Sequence, residues 1–227
     1  MPLHLSRDEW KPVINWFVPE QSSEKIAGLT GIERKRVLHA LLYVRKALIL
    51  DVPDIFSGIA GADETYMGGQ WKNKKKKERA KGTKRGRGTK KQPVFGIYAR
   101  NGLVWAELVS DVEAKTLQPI ISNKVKKGSI ICSDTWKGYT GIATKGYVHR
   151  MVEHGKGEYS DCKGTHINGL EGFRGYLKRK LVSKGGIRRE RLHLYLAEYV
   201  WRYNNRKLSN EQKVKKIIGL LKKRRLF

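Results

Sequence analysis

The basic segment at residues 72–91 restricts the fold of this chain more than any other part of the sequence. It contains twelve lysines and arginines and one acidic residue, Glu78. Such a block repels itself and cannot enter a hydrophobic core, so the core must be built from the residues before and after it. We therefore expect a basic loop over residues 70–92 between two strands. The scarcity of acids favours contact with phosphates over a loop that serves solubility alone.

The overall charge indicates a polyanionic partner. The chain carries 48 Lys and Arg against 21 Asp and Glu, a formal net charge of +27. Nucleic acid is the partner that such a charge favours. An anionic membrane is the alternative, but the sequence contains no run of 18 apolar residues. The loop residues expected to contact DNA are Lys74, Lys75, Lys76, Lys77, Arg79, Lys84, Arg85 and Arg87.

The cysteines and the first residues bear on the compartment. The two cysteines, Cys132 and Cys162, do not form a CxxC pair. This spacing argues against a zinc ribbon and a disulfide scaffold, and it suits a reducing compartment. Residues 1–20 mix charged residues with tryptophan and proline, which is unlike a signal peptide. We expect a cytoplasmic protein associated with the nucleoid, and no membrane partner.

Residues 1–50 are predicted to form a small all-helical domain. Ser6 and Glu9 have the spacing of a capping box, and Gly31 separates a short helix from a longer basic one. This layout is typical of a helix-turn-helix, although three-helix packets that never touch DNA are also common. The residues expected to contact DNA here are Arg34, Lys35 and Arg36. Residues 51–57 contain Pro53 and form a linker.

The segment 58–67 is predicted to be a strand that carries two acids, Asp63 and Glu64. Because side chains alternate along a strand, we expect these two to point to opposite faces. A carboxylate within an apolar strand is costly unless a metal or a substrate compensates it. An edge strand with solvated acids is the alternative interpretation.

The next elements are two strands joined by a tight turn, a helix and a short strand. Asn101-Gly102 between the β-rich runs 92–99 and 103–109 predicts a hairpin. Residues 113–125 have helical periodicity. A short apolar strand then ends at Asp134, and the carboxyl end of a strand is where α/β sheets place ligand-binding groups.

A helix that begins near His166 brings three polar groups to one face. Asn168 and Glu171 are three residues apart, and Lys178 follows Glu171 by two turns. The opposite stripe, formed by Phe173, Leu177 and Leu181, can hold the helix against a core. Taken alone, the pattern also suits a solvated helix with a surface Glu–Lys pair, and His166 is best interpreted as the helix start.

The order β-β-β-α-β-α, with acids on the first strand, the fourth strand and a late helix, matches an RNase H-like arrangement within the α/β class. Carboxylates grouped in this way can hold two Mg²⁺ or Mn²⁺ ions for phosphoryl transfer. Asp63 would bridge the ions, Asp134 would bind one, and Glu171 or Asn168 the other. Lys178 and Arg179 would contact DNA phosphates. The aromatic residues Trp136 and Tyr139 could stack on an unpaired base or belong to the core.

Four blocks carry a resemblance to a known family. They are Asp63-Glu-Thr-Tyr-Met-Gly-Gly69, Ser133-Asp-Thr-Trp-Lys-Gly-Tyr139, His166-Ile-Asn-Gly-Leu-Glu-Gly-Phe173 with Lys178-Arg179, and Tyr195-Leu-Ala-Glu-Tyr-Val-Trp-Arg-Tyr-Asn204 with Arg206-Lys207. Together and in this order they resemble the ISXO2-like DDE transposases, an insertion-sequence group related to Merlin elements.

The resemblance implies an RNase H-like catalytic domain over residues 58–207, followed by a basic C-terminal helix or tail at 208–227. It also implies Mg²⁺-dependent cleavage at terminal inverted repeats and transfer of the 3′-OH into target DNA. A homodimer is expected, because two element ends must be held together. In this group the third catalytic position is often asparagine, which corresponds to Asn168, whereas Glu171 has the spacing of other DDE enzymes.

One departure leaves other functions open. Members of the group often begin with a zinc ribbon, and this sequence has no such cysteine cluster. A catalytically inactive DNA-binding remnant or regulator is therefore one alternative to an active transposase. An RNase H-like nuclease that cuts without strand transfer is the other.

Overall fold

The computed structural model describes residues 4–53, 55–68, 76–77, 91–134, 137–151 and 166–223. For residues 166–171 it describes the backbone, and of their side chains and burial only the burial of Gly169. Two compact units divide the chain: Met1–Val52 with Ala197–Phe227, and Pro53–Leu196.

The first unit is all-helical and begins with three helices: α1 (Trp10–Phe17), α2 (Ser23–Thr30) and α3 (Arg34–Leu48). The Ser6 amide donates to Glu9 Oε2 over 2.6 Å, which is one half of the predicted capping box. Ser22 caps α2 by accepting from the Lys25 amide at 3.1 Å. Gly31 ends α2 with a φ of +69°, a conformation that suits glycine. The short helix, turn and longer helix therefore have the layout that the sequence predicts.

The C-terminal part of the chain belongs to the same unit, which the sequence did not indicate. The helix α6 (Leu192–Asn204) starts in the second unit and ends in the first, where α7 (Asn210–Lys223) follows it. Apolar residues of these helices share one core with α1 to α3: Trp201, Val214, Ile217, Leu220 and Leu221. The compact units thus have different bounds from the predicted domains 58–207 and 208–227, because the apolar stripe of α7 finds its partner surface among the N-terminal helices.

The second unit contains a five-stranded mixed sheet. Its strands are β1 (Ile59–Met67), β2 (Gln92–Ala99), β3 (Val104–Leu108), β4 (Ile130–Ser133) and β5 (Val148–Met151). They lie in the order β3-β2-β1-β4-β5. The β1–β2 and β2–β3 pairs are antiparallel, and β4 is parallel to both β1 and β5. The helices of this unit include α4 (Ala114–Lys124) and α5 (His166–Val182), and α5 packs on β1 and β2.

This strand order and the flanking helices confirm the predicted RNase H-like α/β fold. The predicted hairpin is also present, with Gly102 at a φ of +83° between β2 and β3. In the parallel pair, Gly61 of β1 lies opposite Cys132 of β4. Two residues further along each strand come Asp63 and Asp134, so the register itself brings the two aspartates to the same level.

Among the described residues, no helix combines the length and the apolar character that a membrane span requires.

Candidate metal centre

Three carboxylates meet beside the central strand of the sheet. One oxygen from each of Asp63, Glu64 and Asp134 lies within 4.8 Å of the others. Asp63 and Asp134 are partly exposed, whereas Glu64 is buried with 4% of its surface accessible. Hard carboxylate oxygens at such separations are the donors that Mg²⁺ and Mn²⁺ prefer, so this acid cluster fits a divalent cation.

The inclusion of Glu64 corrects the expectation that Asp63 and Glu64 serve opposite faces. Alternation along a strand fixes the directions of the Cβ atoms and not the positions of the carboxylates. The pairing of β1 with β4 stops at Gly61. Within the described residues, no strand pairs with β1 beyond that point on this side, so the longer Glu64 side chain can bring its carboxylate towards Asp63 and Asp134.

The main chain at Asp134 is held by the buried Ser133, which in turn contacts the half-buried His149 on the neighbouring strand. Ser133 on β4 is fully buried, and its hydroxyl donates to the Asp134 carbonyl at 2.9 Å. The hydroxyl oxygen of Ser133 also lies 2.9 Å from His149 Nε2 on β5. Burial lowers the pKa of His149, so the neutral imidazole is favoured, with its Nε2–H donating to Ser133. These bonds hold the main chain at Asp134, whose carboxylate belongs to the acid cluster.

Tyr139 is a buried residue close to the acid cluster. Its side chain has 0% exposure, which supports the core alternative and removes it as a stacking platform for a base. Burial, followed by the charges of Glu64, Asp63 and Asp134, raises the pKa of Tyr139 well above its usual value. The hydroxyl therefore stays protonated. Trp136 lies outside the described residues.

A cluster of basic side chains lies next to the acids. Arg174 on α5 binds Asp63, with 2.5 Å between its Nη1 and Oδ2. Lys178, one turn later, is exposed, and its pKa is lowered by partial burial and then by the charges of Arg174 and Lys91, against the opposing charge of Asp63. Lys91 precedes β2 and lies close to the end of β1, because a Cβ added at Gly68 would be 3.0 Å from Lys91 Cγ.

The candidate third ligands, Asn168 and Glu171, lie in the first turns of α5. Their side chains are outside the described part of the structure, so the choice between them stays open. Gly169 between them fixes how closely the helix approaches the sheet. A Cβ at Gly169 would lie 2.3 Å from Tyr98 Cζ on β2, a distance that no real contact adopts. A methyl group at this position would therefore force the Tyr98 ring or the helix to move.

Replacement of Gly169 by alanine should move the start of α5 away from β2. We expect a loss of roughly 1–3 kcal/mol in the free energy of unfolding through overpacking, together with lower activity. Gly172→Ala on the same helix is the matched control, because nothing lies within 4 Å of its added Cβ. This control should gain about 0.5–1 kcal/mol from helix propensity. Urea denaturation of both variants measures the difference, and equal effects would show that Tyr98 imposes no constraint.

The predicted DNA-contacting residues differ in their surroundings. Arg34 and Lys35 on α3 are exposed, as are Lys76, Lys77 and Arg179. Arg36 is instead bound to Glu9, at 2.8 Å and 2.6 Å, and this pairing lowers the pKa of Glu9. Arg36 thus serves the helix packing in this structure. The remaining loop residues lie outside the described part: Lys74, Lys75, Arg79, Lys84, Arg85 and Arg87.

Sequence reasoning missed three contributors to this site: Glu64 as a member of the acid cluster, Arg174 as its counter-ion, and Gly169 as the helix position that faces Tyr98 of β2. A signal existed for Arg174, which lies one helical turn before Lys178 and therefore on the same face. The contact between Gly169 and Tyr98 left no such signal, since it depends on how α5 crosses the sheet.

The strand order together with the acid cluster defines an RNase H-like protein of the DDE type. The chain belongs to the family of the ISXO2-like transposase domain, whose model matches residues 55–204. A relative described as an uncharacterized transposase-like protein of Haemophilus influenzae is 33% identical over 108 residues, which cover 48% of this chain and 86% of that protein.

Two solved structures show weaker similarity. The catalytic core domain of BIV integrase is 13% identical with a TM-score of 0.41, over 71% of this chain and 95% of that one. The Mos1 transposase in a paired-end complex with the left transposon end is 11% identical with a TM-score of 0.30, over 96% of this chain and 80% of that one.

Proposed function

We propose that this chain is an active DDE transposase that cuts DNA at the ends of its element and joins the 3′-OH to target DNA. The observation that carries the proposal is the meeting of Asp63, Glu64 and Asp134 within 4.8 Å at the centre of an RNase H-like sheet. Membership of a transposase family supports the same reaction.

The residues would divide the work as follows. Asp63, Glu64 and Asp134 would hold the divalent cations, and Asn168 or Glu171 would complete the set from α5. Two cations bound here would stabilise the attacking and leaving oxygens of an in-line displacement. Ser133 and His149 would hold the main chain at Asp134, and the buried Tyr139 would lie beside the acids in its protonated form.

The DNA would be held by the exposed basic residues. Lys178 and Arg179 on α5 would contact phosphates beside the acid cluster, and Arg34 and Lys35 on α3 would contact DNA from the recognition helix of a helix-turn-helix. The basic segment 70–92 would add contacts of the same kind. A homodimer would hold the two element ends, and the protein would work on the nucleoid in the cytoplasm.

A strand-transfer assay tests the proposal. The full chain is mixed with a duplex that carries the terminal inverted repeat of its element, a plasmid target, and Mg²⁺ or Mn²⁺. We expect joined product that disappears with EDTA and with a scrambled repeat. Cleavage without joining would contradict the proposal in favour of a nuclease, and salt-dependent binding without cleavage would favour a DNA-binding remnant.

A further inference from the structure

Arg174 is paired with Asp63, the carboxylate that is expected to bridge the metal ions. Its Nη1 lies 2.5 Å from Asp63 Oδ2, and its Nη2 lies 3.5 Å from Asp63 Oδ1. The same Nη2 donates to the main-chain carbonyl of Glu64. The guanidinium therefore binds both the Asp63 side chain and the main chain of β1. The Arg174 side chain remains 27% accessible.

The charges of the acid cluster explain why a cation is held there. Three carboxylates with oxygens within 4.8 Å repel one another unless a positive charge lies among them. A guanidinium keeps its charge at every pH that a protein tolerates, and its planar fork matches a carboxylate. Asp63 Oδ1 also accepts the Glu64 amide at 2.6 Å. Both oxygens of Asp63 are thus engaged by donors that a divalent cation would meet on arrival.

We infer that Arg174 is a positioning residue that holds Asp63 in place until a divalent cation binds. Arg174 then releases the Asp63 carboxylate and binds a DNA phosphate. The inference rests on the proposed function. A cation at Asp63 repels the guanidinium and competes for the same oxygens, so binding and release are coupled. Once released, Arg174 lies one turn from Lys178 on the same helix face, where a phosphate can be shared between them.

A calorimetric titration of the full chain with Mn²⁺ alone tests this exchange. Arg174→Met keeps an unbranched, flexible side chain and removes the guanidinium with its charge. Arg179→Met is the matched control, since it removes one charge from the same helix at an exposed position. We expect Arg174→Met to bind Mn²⁺ about tenfold more tightly than the wild type, as the loss of a charged hydrogen-bonding competitor implies, and Arg179→Met to change affinity by less than about twofold.

Two further variants make the outcome decisive. Arg174→Lys restores the charge and should return the Mn²⁺ affinity towards the wild-type value. This recovery would assign the change in Arg174→Met to the lost charge and not to misfolding. Asp63→Asn should abolish the Mn²⁺ binding. Unchanged or weaker affinity in Arg174→Met would overturn the inference alone, as would equal tightening in Arg179→Met. Absence of Mn²⁺ binding in the wild type would instead overturn the proposed metal site and the inference with it.

The second half of the exchange has its own measurement. Binding to a random-sequence duplex is followed against salt concentration, once with EDTA and once with Mn²⁺. A phosphate contact adds about one unit to the slope of log affinity against log salt. We expect Arg174→Met to lower the slope by about that amount with Mn²⁺ and to leave it unchanged with EDTA, each compared with the wild type under the same condition. A purely structural role would affect both conditions equally and would contradict the release of Arg174.

Discussion

Replacement of Asp134 by asparagine should reduce strand transfer by about a thousandfold while DNA binding persists. A metal ligand at the reacting phosphate contributes several kcal/mol of transition-state stabilisation, and about 4 kcal/mol corresponds to this factor in rate. Asparagine keeps the shape of the side chain, and Ser133 still bonds the main-chain carbonyl of residue 134. Asp63→Asn should have an effect of the same size.

The measurement is joined product per unit time from duplex element ends in Mg²⁺, with DNA affinity determined separately. Glu107→Gln is the matched control, because Glu107 is an exposed acid on β3 of the same sheet. It should leave both strand transfer and binding unchanged. Cleavage that survives Asp134→Asn would place the reaction elsewhere in the molecule, and loss of DNA binding in this variant would point to misfolding instead.

The parts of the site that could be predicted from the sequence are those set by local rules. A turn of Asn101 and Gly102 fixes the hairpin, and an acid directly after a buried strand faces the sheet edge. Asp134 follows from the second rule. Asp63 stands out instead as a carboxylate within an apolar strand, and the parallel register of β1 and β4 brings the two aspartates to one level. The place of Glu64 could not be predicted, since it depends on where the pairing of β1 with β4 stops.

The parts that could not be predicted depend on which surfaces meet. The periodicity of Val214, Ile217 and Leu221 predicts an amphipathic helix, but it does not name the partner of the apolar face. The same limit applies to charges. Arg36 and Arg174 are basic residues of the type that contacts DNA phosphates. Each is instead paired with an acid far away in the sequence, Arg36 with Glu9 and Arg174 with Asp63. Such pairing is a property of the tertiary structure.

Replacement of Glu198 by glutamine should destabilise the helical unit by roughly 3–5 kcal/mol, the cost of leaving buried cations without their partner. Glu198 is 2% exposed and accepts from Arg45 Nε at 2.6 Å and Arg202 Nε at 2.9 Å. Arg202 also donates to the carbonyls of Phe17 and Val18, at 2.8 Å and 2.7 Å. These carbonyl bonds hold the Arg202 guanidinium inside the unit, so it cannot escape to water when the carboxylate is neutralised.

Urea denaturation at pH 7, followed by tryptophan fluorescence, measures the loss. Glu24→Gln is the matched control, since Glu24 is an exposed residue in the first turn of α2. It should cost no more than about 1 kcal/mol through the helix dipole. The double variant Glu198→Gln with Arg45→Met should lose less unfolding free energy than the two single variants do together, because one of the unpaired cations is then absent. Full additivity would show that Glu198 and Arg45 are not coupled.

The same carboxylate makes the stability depend on pH with a definite sign. Burial acts to raise the pKa of Glu198, but the charges of Arg202 and Arg45 outweigh it and hold the pKa below the ordinary value of 4.5. A folded-state pKa below the unfolded one means that the stabilisation is complete above about pH 4.5 and is lost as the pH falls through the folded-state value. The difference in unfolding free energy between the wild type and Glu198→Gln should therefore be constant from about pH 6 to 8 and shrink in more acidic solution. A difference that instead grew on acidification would mean that Glu198 is protonated in the folded protein, and the two arginines would then need another partner.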